Sequence, residues 1–120
     1  MRIILFVLIL FLIPHVGWSK SITEKVELYP IVIEKKWGYM NDQGKMVIKP
    51  QYEKADYFSE GLAPVMMDGQ VGYIDKTGKV VIPARYDDGW AFKNGIAGVM
   101  IGKRLGYINK EGNFVWNPSN

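Results

Sequence analysis

The segment with the most chemical potential is DDGWAFKNG, which runs from Asp87 to Gly95. It places two adjacent carboxylates, Asp87 and Asp88, close in sequence to the indole of Trp90. An exposed indole beside carboxylates can bind a sugar, because the ring stacks on the face of the sugar while the carboxylates accept hydrogen bonds from its hydroxyls. A second candidate binding residue is Trp116. The alternative is that Trp90 covers an apolar edge and the aspartates only solvate a loop, since half-buried tryptophan is ordinary.

Paired carboxylates are also the catalytic groups of glycosidases, which hold them about 5 to 10 Å apart across the sugar. Neighbouring residues of a strand point to opposite faces, so Asp87 and Asp88 would need a further acid such as Glu53 or Asp56. The sequence offers no second constellation to help them. A small carboxylate-dependent carbohydrate-active hydrolase is therefore a minor alternative, and we predict that the protein is not an enzyme.

Residues 1–19 have the order of a secretory signal peptide. Arg2 precedes an unbroken apolar run that ends at Ile13, and small residues precede the predicted cleavage point after Ser19. The run is shorter than the roughly 20 residues that a membrane-spanning helix needs, although an uncleaved anchor is the alternative. We predict an exported protein, periplasmic or secreted, with no stable membrane span after cleavage.

Two residue types that supply many catalytic and metal-binding groups are missing from the chain after the leader. The sequence has no cysteine, and its single histidine is His15. This excludes disulfides, thiol nucleophiles, Ser-His-Asp catalysis and histidine-ligated zinc from the mature protein. The DKTG turn at Asp75–Gly78 lacks the alternating acids of a calcium loop. We predict no metal and no cofactor.

The charge balance gives little support to nucleic-acid binding. The formal charge is +3, and loss of Arg2 with the leader leaves 14 basic against 12 acidic residues, or +2. The densest basic pairs, Lys35-Lys36 and Lys103-Arg104, stand at predicted turns and form no stripe. We expect no nucleic-acid partner.

The elements that must position these side chains follow from an internal repeat. Residues 37–70 and 71–104 align without a gap, a third copy begins at Leu105 and stops half-way, and a half copy begins at Leu28. A period of 34 also occurs in helical tetratricopeptide arrays, but the repeated glycines and β-branched residues disfavour helices, and the latter favour strands. The identical positions are Gly38/Gly72, Tyr39/Tyr73, Gly44/Gly78, Lys45/Lys79, Val47/Val81, Ile48/Ile82, Tyr52/Tyr86, Phe58/Phe92, Gly61/Gly95, Ala63/Ala97, Val65/Val99 and Met66/Met100.

Turn signals divide each copy into hairpins. Asn41–Gly44, Asp75–Gly78 and Asn109–Gly112 begin with Asn or Asp and end with Gly, which predicts a type I turn closed by a glycine at positive φ. Asp68-Gly69 predicts a type I′ turn and Gly102-Lys103 a type II′ turn. The corresponding pair in the first hairpin, Glu34-Lys35, is a poor turn former.

The predicted fold is all-β. It consists of tandem antiparallel hairpin repeats of about 34 residues, two full and two half copies, in an open array or a small β-meander. The predicted domains are a signal peptide at 1–19, a linker at 20–27, a repeat domain at 28–118 and a tail at 119–120. An ordered crossover, pinned by Tyr52/Tyr86 and Phe58/Phe92, should link the second and third strands of each copy. The predicted strands are 28–33, 37–41, 45–49, 62–67, 71–75, 79–83, 96–101, 105–109 and 113–116.

At this point the residues resemble a known family. Lys36–Gly38, read KWG and followed by YMNDQGKMVIKPQYEKADYFSEGLAPV, is similar to the bacterial WG (KWG) β-repeat. The resemblance covers about 28–118, with Val71 and Leu105 where the later copies would carry tryptophan. It implies a repetitive all-β fold, usually in exported or envelope-associated proteins, with no established catalytic residues.

The first functional hypothesis is an exported, non-enzymatic module whose repeats offer a binding or scaffold surface to a protein partner or a cell-wall glycan. The alternative is a purely structural envelope or accessory protein without a ligand. The strands at either end of an open array need covering, and we expect that a second copy of the chain or polar terminal residues cover them.

Overall fold

The computed structural model describes residues 25–117. The predicted signal peptide at 1–19, most of the linker at 20–27 and the tail at 119–120 lie outside the described residues. All regular elements within 25–117 are β-strands, which confirms the predicted fold class. No helix in this part of the chain is long and apolar enough to cross a bilayer.

The strands of residues 25–117 form three separate antiparallel sheets. The sheet orders are β1-β2-β3, β4-β5-β6-β7 and β11-β10-β9-β8, here called the first, second and third sheets. This is an open array rather than one continuous meander. The strand bounds are β1 Tyr29–Ile33, β2 Lys36–Met40, β3 Met46–Tyr52, β4 Lys54–Ala55, β5 Ala63–Met67, β6 Gln70–Ile74, β7 Val80–Tyr86, β8 Asp88–Gly89, β9 Ile96–Ile101, β10 Arg104–Asn109 and β11 Phe114–Trp116.

The sheets follow the 34-residue period but begin at a different point from the copies seen in the sequence. The second sheet starts at Lys54, inside the segment predicted as a crossover, because the short strand β4 pairs with β5 through Lys54↔Met66 and Ala55↔Val65. Strand β8 repeats this arrangement with β9. The prediction of a crossover without strands is therefore incomplete. The free edge of β5 or β9 offers the crossover backbone a partner, which local sequence patterns do not reveal.

The four-residue turns have the predicted geometry. Gly44, Gly78 and Gly112 all have positive φ, between 80° and 91°. In the second sheet, Oδ1 of Asp75 accepts hydrogen bonds from the backbone N–H groups of Thr77 (2.9 Å) and Lys79 (3.1 Å). The Thr77 hydroxyl also donates to this oxygen, and these bonds together hold the pKa of Asp75 below its ordinary value.

The first hairpin forms despite its unfavourable turn residues. Glu34 and Lys35 adopt φ values of 50° and 70°, which is the type I′ turn that Asn-Gly or Asp-Gly usually supplies. Such a conformation costs a non-glycine residue about 1 to 2 kcal/mol. The ladder between β1 and β2, which runs without a break from Tyr29↔Met40 to Ile33↔Lys36, offsets that cost.

In the two full copies, the glycine after the first residue, Gly38 or Gly72, marks a close approach of two backbones. A Cβ added to Gly38 would lie 2.5 Å from the carbonyl oxygen of Ile48, and one added to Gly72 would lie 2.6 Å from that of Ile82. The register between the two strands shifts at both places. Because glycine has no side chain, the strands can form a bulge at these positions. Strands β3 and β7 extend to Tyr52 and Tyr86, beyond the predicted ends at 49 and 83.

The sheets stack face to face, and the core lies between them. We call the side of each sheet that bears Tyr39, Tyr73 or Tyr107 its front face, and the opposite side its back face. The front face of the first sheet packs on the back face of the second, and the front face of the second packs on the back face of the third. The first interface contains Leu28, Tyr39, Ile48, Tyr52, Ala63, Val65 and Ile74, and the second contains Leu62, Val71, Tyr73, Ile82, Tyr86, Phe92, Ala97, Val99 and Ile108.

A repeated tyrosine joins each sheet to the crossover of the next. The hydroxyl of Tyr39 donates to the carbonyl oxygen of Asp56 (2.6 Å), and that of Tyr73 donates to the carbonyl oxygen of Trp90 (2.7 Å). Phe58 packs on Tyr39 and Phe92 on Tyr73, with ring centroids 4.9 and 5.0 Å apart. Tyr52 and Tyr86 are also buried. The predicted pinning of an ordered crossover by these aromatic residues is confirmed.

Candidate functional site

The front face of the third sheet carries a row of side chains that runs across its strands. Register places Trp116 of β11 opposite Tyr107 of β10, and Tyr107 opposite Gly98 of β9. The backbone N–H of Trp90 then donates to the carbonyl oxygen of Gly98 (3.0 Å), which sets Trp90 at the β8 end. Directly opposed residues share one face of a sheet. We call Trp116, Tyr107, Gly98 and Trp90 the aromatic row.

Gly98 makes room for the indole of Trp90. A Cβ built on Gly98 would lie 3.3 Å from Cε3 of Trp90 and 3.5 Å from both Cδ1 of Leu105 and Cε1 of Tyr107. The indole therefore lies against the backbone of β9 and beside two further apolar groups of the same face. These contacts fix the position of Trp90 while 46% of its surface stays exposed.

The other large members of the row are exposed as well. Tyr107 is 37% exposed and Trp116 is 58% exposed. Tyr73, which occupies the position of Tyr107 in the second sheet, has no exposed surface, and neither does Ile82, which occupies that of Trp116. The equivalent face is thus covered in the second sheet and open in the third.

The residues of the row depart from the repeat at three places. Trp116 stands where the second sheet has Ile82, Gly98 stands where it has Pro64, and Trp90 stands where it has Asp56. The second and third changes are coupled in space, since the small Gly98 leaves the volume that the indole occupies. Only Tyr107 keeps the type of its predecessor. The replacements enlarge the aromatic surface on the one front face that no further sheet of residues 25–117 covers.

Asp87 is not part of this face. Its carboxylate accepts a hydrogen bond from the backbone N–H of Gly102 (2.5 Å), in the turn between β9 and β10. Glu53 does the same for Gly69 (2.9 Å) one period earlier. The recurrence indicates that this carboxylate stabilises the turn, and it separates Asp87 from the other three residues of the predicted site.

Asp88 lies at the edge of the row. Strand pairing opposes it to Met100 and puts it two residues before Trp90, hence on the same side of the chain. One of its oxygens accepts a hydrogen bond from the N–H of Gly89 (2.8 Å). Asp88 also borders a groove of about 180 Å³ between the second and third sheets, together with Lys54 and Asp56. Asp87 and Asp88 therefore have different surroundings, the first at the β9–β10 turn and the second at the edge of the row.

The electrostatics of residues 25–117 give no sign of a metal centre. No group of three or more acidic or imidazole side chains in this range could hold a metal ion. The tyrosines of the covered front faces are held neutral, because burial above all raises the pKa of Tyr39 and Tyr73 well beyond the ordinary range. What the third sheet offers is therefore aromatic surface with one carboxylate at its edge.

Sequence reasoning found three of the residues on or beside this face and missed the others. Tyr107 was not singled out in the sequence, and it is exposed because no later sheet of the described residues covers it. Gly98 and Leu105 were not identified as site residues from the sequence. Comparison at 34-residue spacing could have identified them, because Gly98 replaces a proline and Leu105 replaces Val71.

Comparison with known proteins gives a match to a family model. A family model described as WG containing repeat matches residues 37–70 and again residues 72–104. The two matches together take in both full copies of the repeat. No curated protein and no solved structure gives a significant match to the sequence.

Proposed function

Because the chain belongs to the WG containing repeat family, we propose that it is a non-enzymatic module that binds a partner through the aromatic row. The stacked sheets are the scaffold and the front face of the third sheet is the binding surface. The partner is a protein or a polymer of the bacterial cell envelope. The residues that carry binding are Trp90 and Trp116, with Tyr107 between them and Asp88 at the edge.

One observation carries this proposal. The same face is buried in the second sheet and open in the third, and the open copy is the one in which Asp56, Pro64 and Ile82 are replaced by Trp90, Gly98 and Trp116. Exposed apolar patches of this kind mark interaction sites more often than chance surface. Tryptophan and tyrosine are also the side chains that dominate the energy of binding surfaces.

The second candidate is a purely structural protein whose last repeat is a cap. Terminal repeats of solenoid proteins are commonly atypical because they must face water. A cap gains solubility from polar residues, however, and here an exposed aspartate has been replaced by tryptophan. The direction of the change favours binding over capping.

Export is part of the proposal and rests on the leader at 1–19. Expression of the full chain in a bacterial host, followed by mass spectrometry of the periplasmic and secreted fractions, should yield a mature protein that begins at Lys20. A product that keeps Met1 and stays with the membrane would instead support the uncleaved anchor.

The binding function is tested by retention of native envelope material on the immobilised mature protein. Protein and carbohydrate are measured separately in the retained material. We expect retention by the wild type and by Tyr57→Ala, whose side chain is 61% exposed and belongs to the crossover of the second sheet, between β4 and β5. Trp90→Ala and Trp116→Ala should lose it. Equal retention by all four proteins would reject the aromatic row as the binding surface.

A further inference from the structure

We propose that the aromatic row binds an uncharged glycan, a chain of β-linked pyranose rings lying across the strands of the third sheet. This inference rests on the proposed function and names the ligand of the same surface. Sugar rings whose substituents are equatorial present flat C–H faces that stack on aromatic rings. The hydroxyls around their rims need hydrogen-bond partners, which the Tyr107 hydroxyl, the indole N–H groups and the Asp88 carboxylate can supply.

The shape of the row suits a linear ligand. Its members lie in three neighbouring strands, β11, β10 and β9, and directly after a fourth, β8. At about 4.8 Å between strands, the row is about 14 Å long. Its large side chains lie on one face and stand at separate places along a line, with the indole of Trp90 fixed against Gly98. Successive rings of one chain can therefore meet successive aromatic side chains.

The size of the face argues against a second copy of the chain as its occupant. The four strands are two to six residues long, and even four six-residue strands would give an area of only roughly 300 Å², whereas a stable protein interface needs about 800 Å² from each partner. The stacking seen within the chain would also not be reproduced. Trp116 fills the place that Ile82 occupies in the internal interface, and Trp90 fills the place of the exposed Asp56 beside it.

Charge narrows the class of polymer. Proteins that stack single-stranded nucleic acid on aromatic residues also line the groove with basic side chains. Strand pairing places an acid, Asp88, beside this row, and Arg104 lies opposite Ile101 on the back face. The carboxylate would repel a phosphate backbone or an acidic polysaccharide, and it can accept hydrogen bonds from the hydroxyls of a neutral sugar.

The test is a titration of the full-length mature protein with a soluble β-1,4-linked hexamer of N-acetylglucosamine. Binding is followed by calorimetry and by tryptophan fluorescence. We expect Trp90→Ala and Trp116→Ala each to weaken binding about tenfold, taking the loss of one stacked sugar as comparable to the loss of one stacked base. Tyr57→Ala, the matched exposed aromatic, should change it less than about twofold. A dimer of the same sugar should bind more weakly than the hexamer, because it cannot reach the whole row.

The outcomes of the titration distinguish the proposed glycan ligand from the more general proposal that the aromatic row is a binding surface. No heat and no fluorescence change with the hexamer, together with Trp90-dependent retention of an envelope protein or a proline-rich peptide, would overturn the glycan ligand and leave the binding surface intact. Hexamer binding that ignores both tryptophan variants would overturn the aromatic row itself. A dimer in sedimentation that both variants dissociate would assign the face to a second copy of the chain.

Discussion

The front faces of the second and third sheets are built on the same strands one period apart, and they differ in what covers them. In the second sheet Tyr73, Val71 and Ile82 are buried under the back face of the third. In the third, Tyr107 and Trp116 meet solvent. The large residues buried between the sheets, such as Tyr39/Tyr73 and Ile48/Ile82, keep their types through the repeat. Positions that change type on the open face are the candidates for binding.

The difference between the two faces is tested most directly at Tyr73 and Tyr107, which occupy equivalent positions one period apart. Tyr73→Ala empties a fully buried site and removes the hydrogen bond to the Trp90 carbonyl, so the free energy of unfolding should fall by about 4 kcal/mol. Tyr107→Ala removes a side chain that is 37% exposed and should cost about 1 kcal/mol or less. Urea denaturation followed by circular dichroism measures both. Equal losses would mean that the third front face is covered in solution.

A second comparison concerns two glycines. Gly72 lies against the backbone of a neighbouring strand, whereas Gly98 lies against side chains, including that of Trp90. Gly72→Ala puts a methyl group 2.6 Å from the Ile82 carbonyl oxygen, and the two strands must move apart at a cost of about 2 to 3 kcal/mol. Gly98→Ala meets only side-chain atoms, at 3.3 to 3.5 Å, and should change stability by less than about 1 kcal/mol.

The same pair also has opposite expected effects on ligand binding. Gly98→Ala should displace the Trp90 indole and weaken binding with little change in the denaturation midpoint. Gly72→Ala should lower the midpoint and, where the protein is still folded, leave binding unchanged. Undiminished ligand binding by Gly98→Ala would show that the packing of the Trp90 indole against Gly98 is not needed for binding.

The repeat made the fold predictable because identical letters at 34-residue spacing reflect identical places in a stack. Turns, strand count per hairpin and the glycine bulges follow from local chemistry, and the structure confirms them at Gly44, Gly72 and Asp75. The short strands β4 and β8 do not follow, because they depend on a free strand edge in the folded chain. The site was only half predictable: Trp90 and Trp116 stand out as breaks in the repeat, whereas Tyr107 looks like its buried equivalents until its position at the open face is known.

The covered tyrosines should also respond to high pH. Burial raises the pKa of Tyr73 in the folded protein above its ordinary value, so stability is complete below the unfolded pKa of about 10 and falls as pH rises toward the folded one. Each such tyrosine should cost about 1.4 kcal/mol per pH unit in that window. Tyr73→Phe should therefore lose stability less steeply than the wild type, which keeps both Tyr39 and Tyr73. Urea midpoints between pH 9 and 11 provide the measurement, and parallel slopes would contradict it.

The smallest effect should come from the contact that ties the second sheet's crossover to the third's. The carboxylate of Glu60 accepts hydrogen bonds from the backbone N–H groups of Asn94 (2.5 Å) and Gly95 (2.9 Å) and lies 3.3 Å from Nζ of Lys110. The bond from Gly95, more than the others, holds the pKa of Glu60 below its ordinary value. The stabilisation is then present above the unfolded pKa and is lost as pH falls through the lower folded pKa.

Glu60→Gln should consequently lower the urea midpoint slightly at pH 7, and its difference from the wild type should shrink as the pH falls and the wild-type carboxylate becomes protonated. Glu111→Gln removes the same charge from an exposed turn and serves as the control. If the gap between wild type and Glu60→Gln were as large at pH 3 as at pH 7, the contact would act through shape and not through charge. In the third unit Asn94 occupies the place of Glu60, and it has no carboxylate with which to cap a following turn. This charged link between crossovers therefore stops at the junction of the second and third sheets, and the open face lies beyond it.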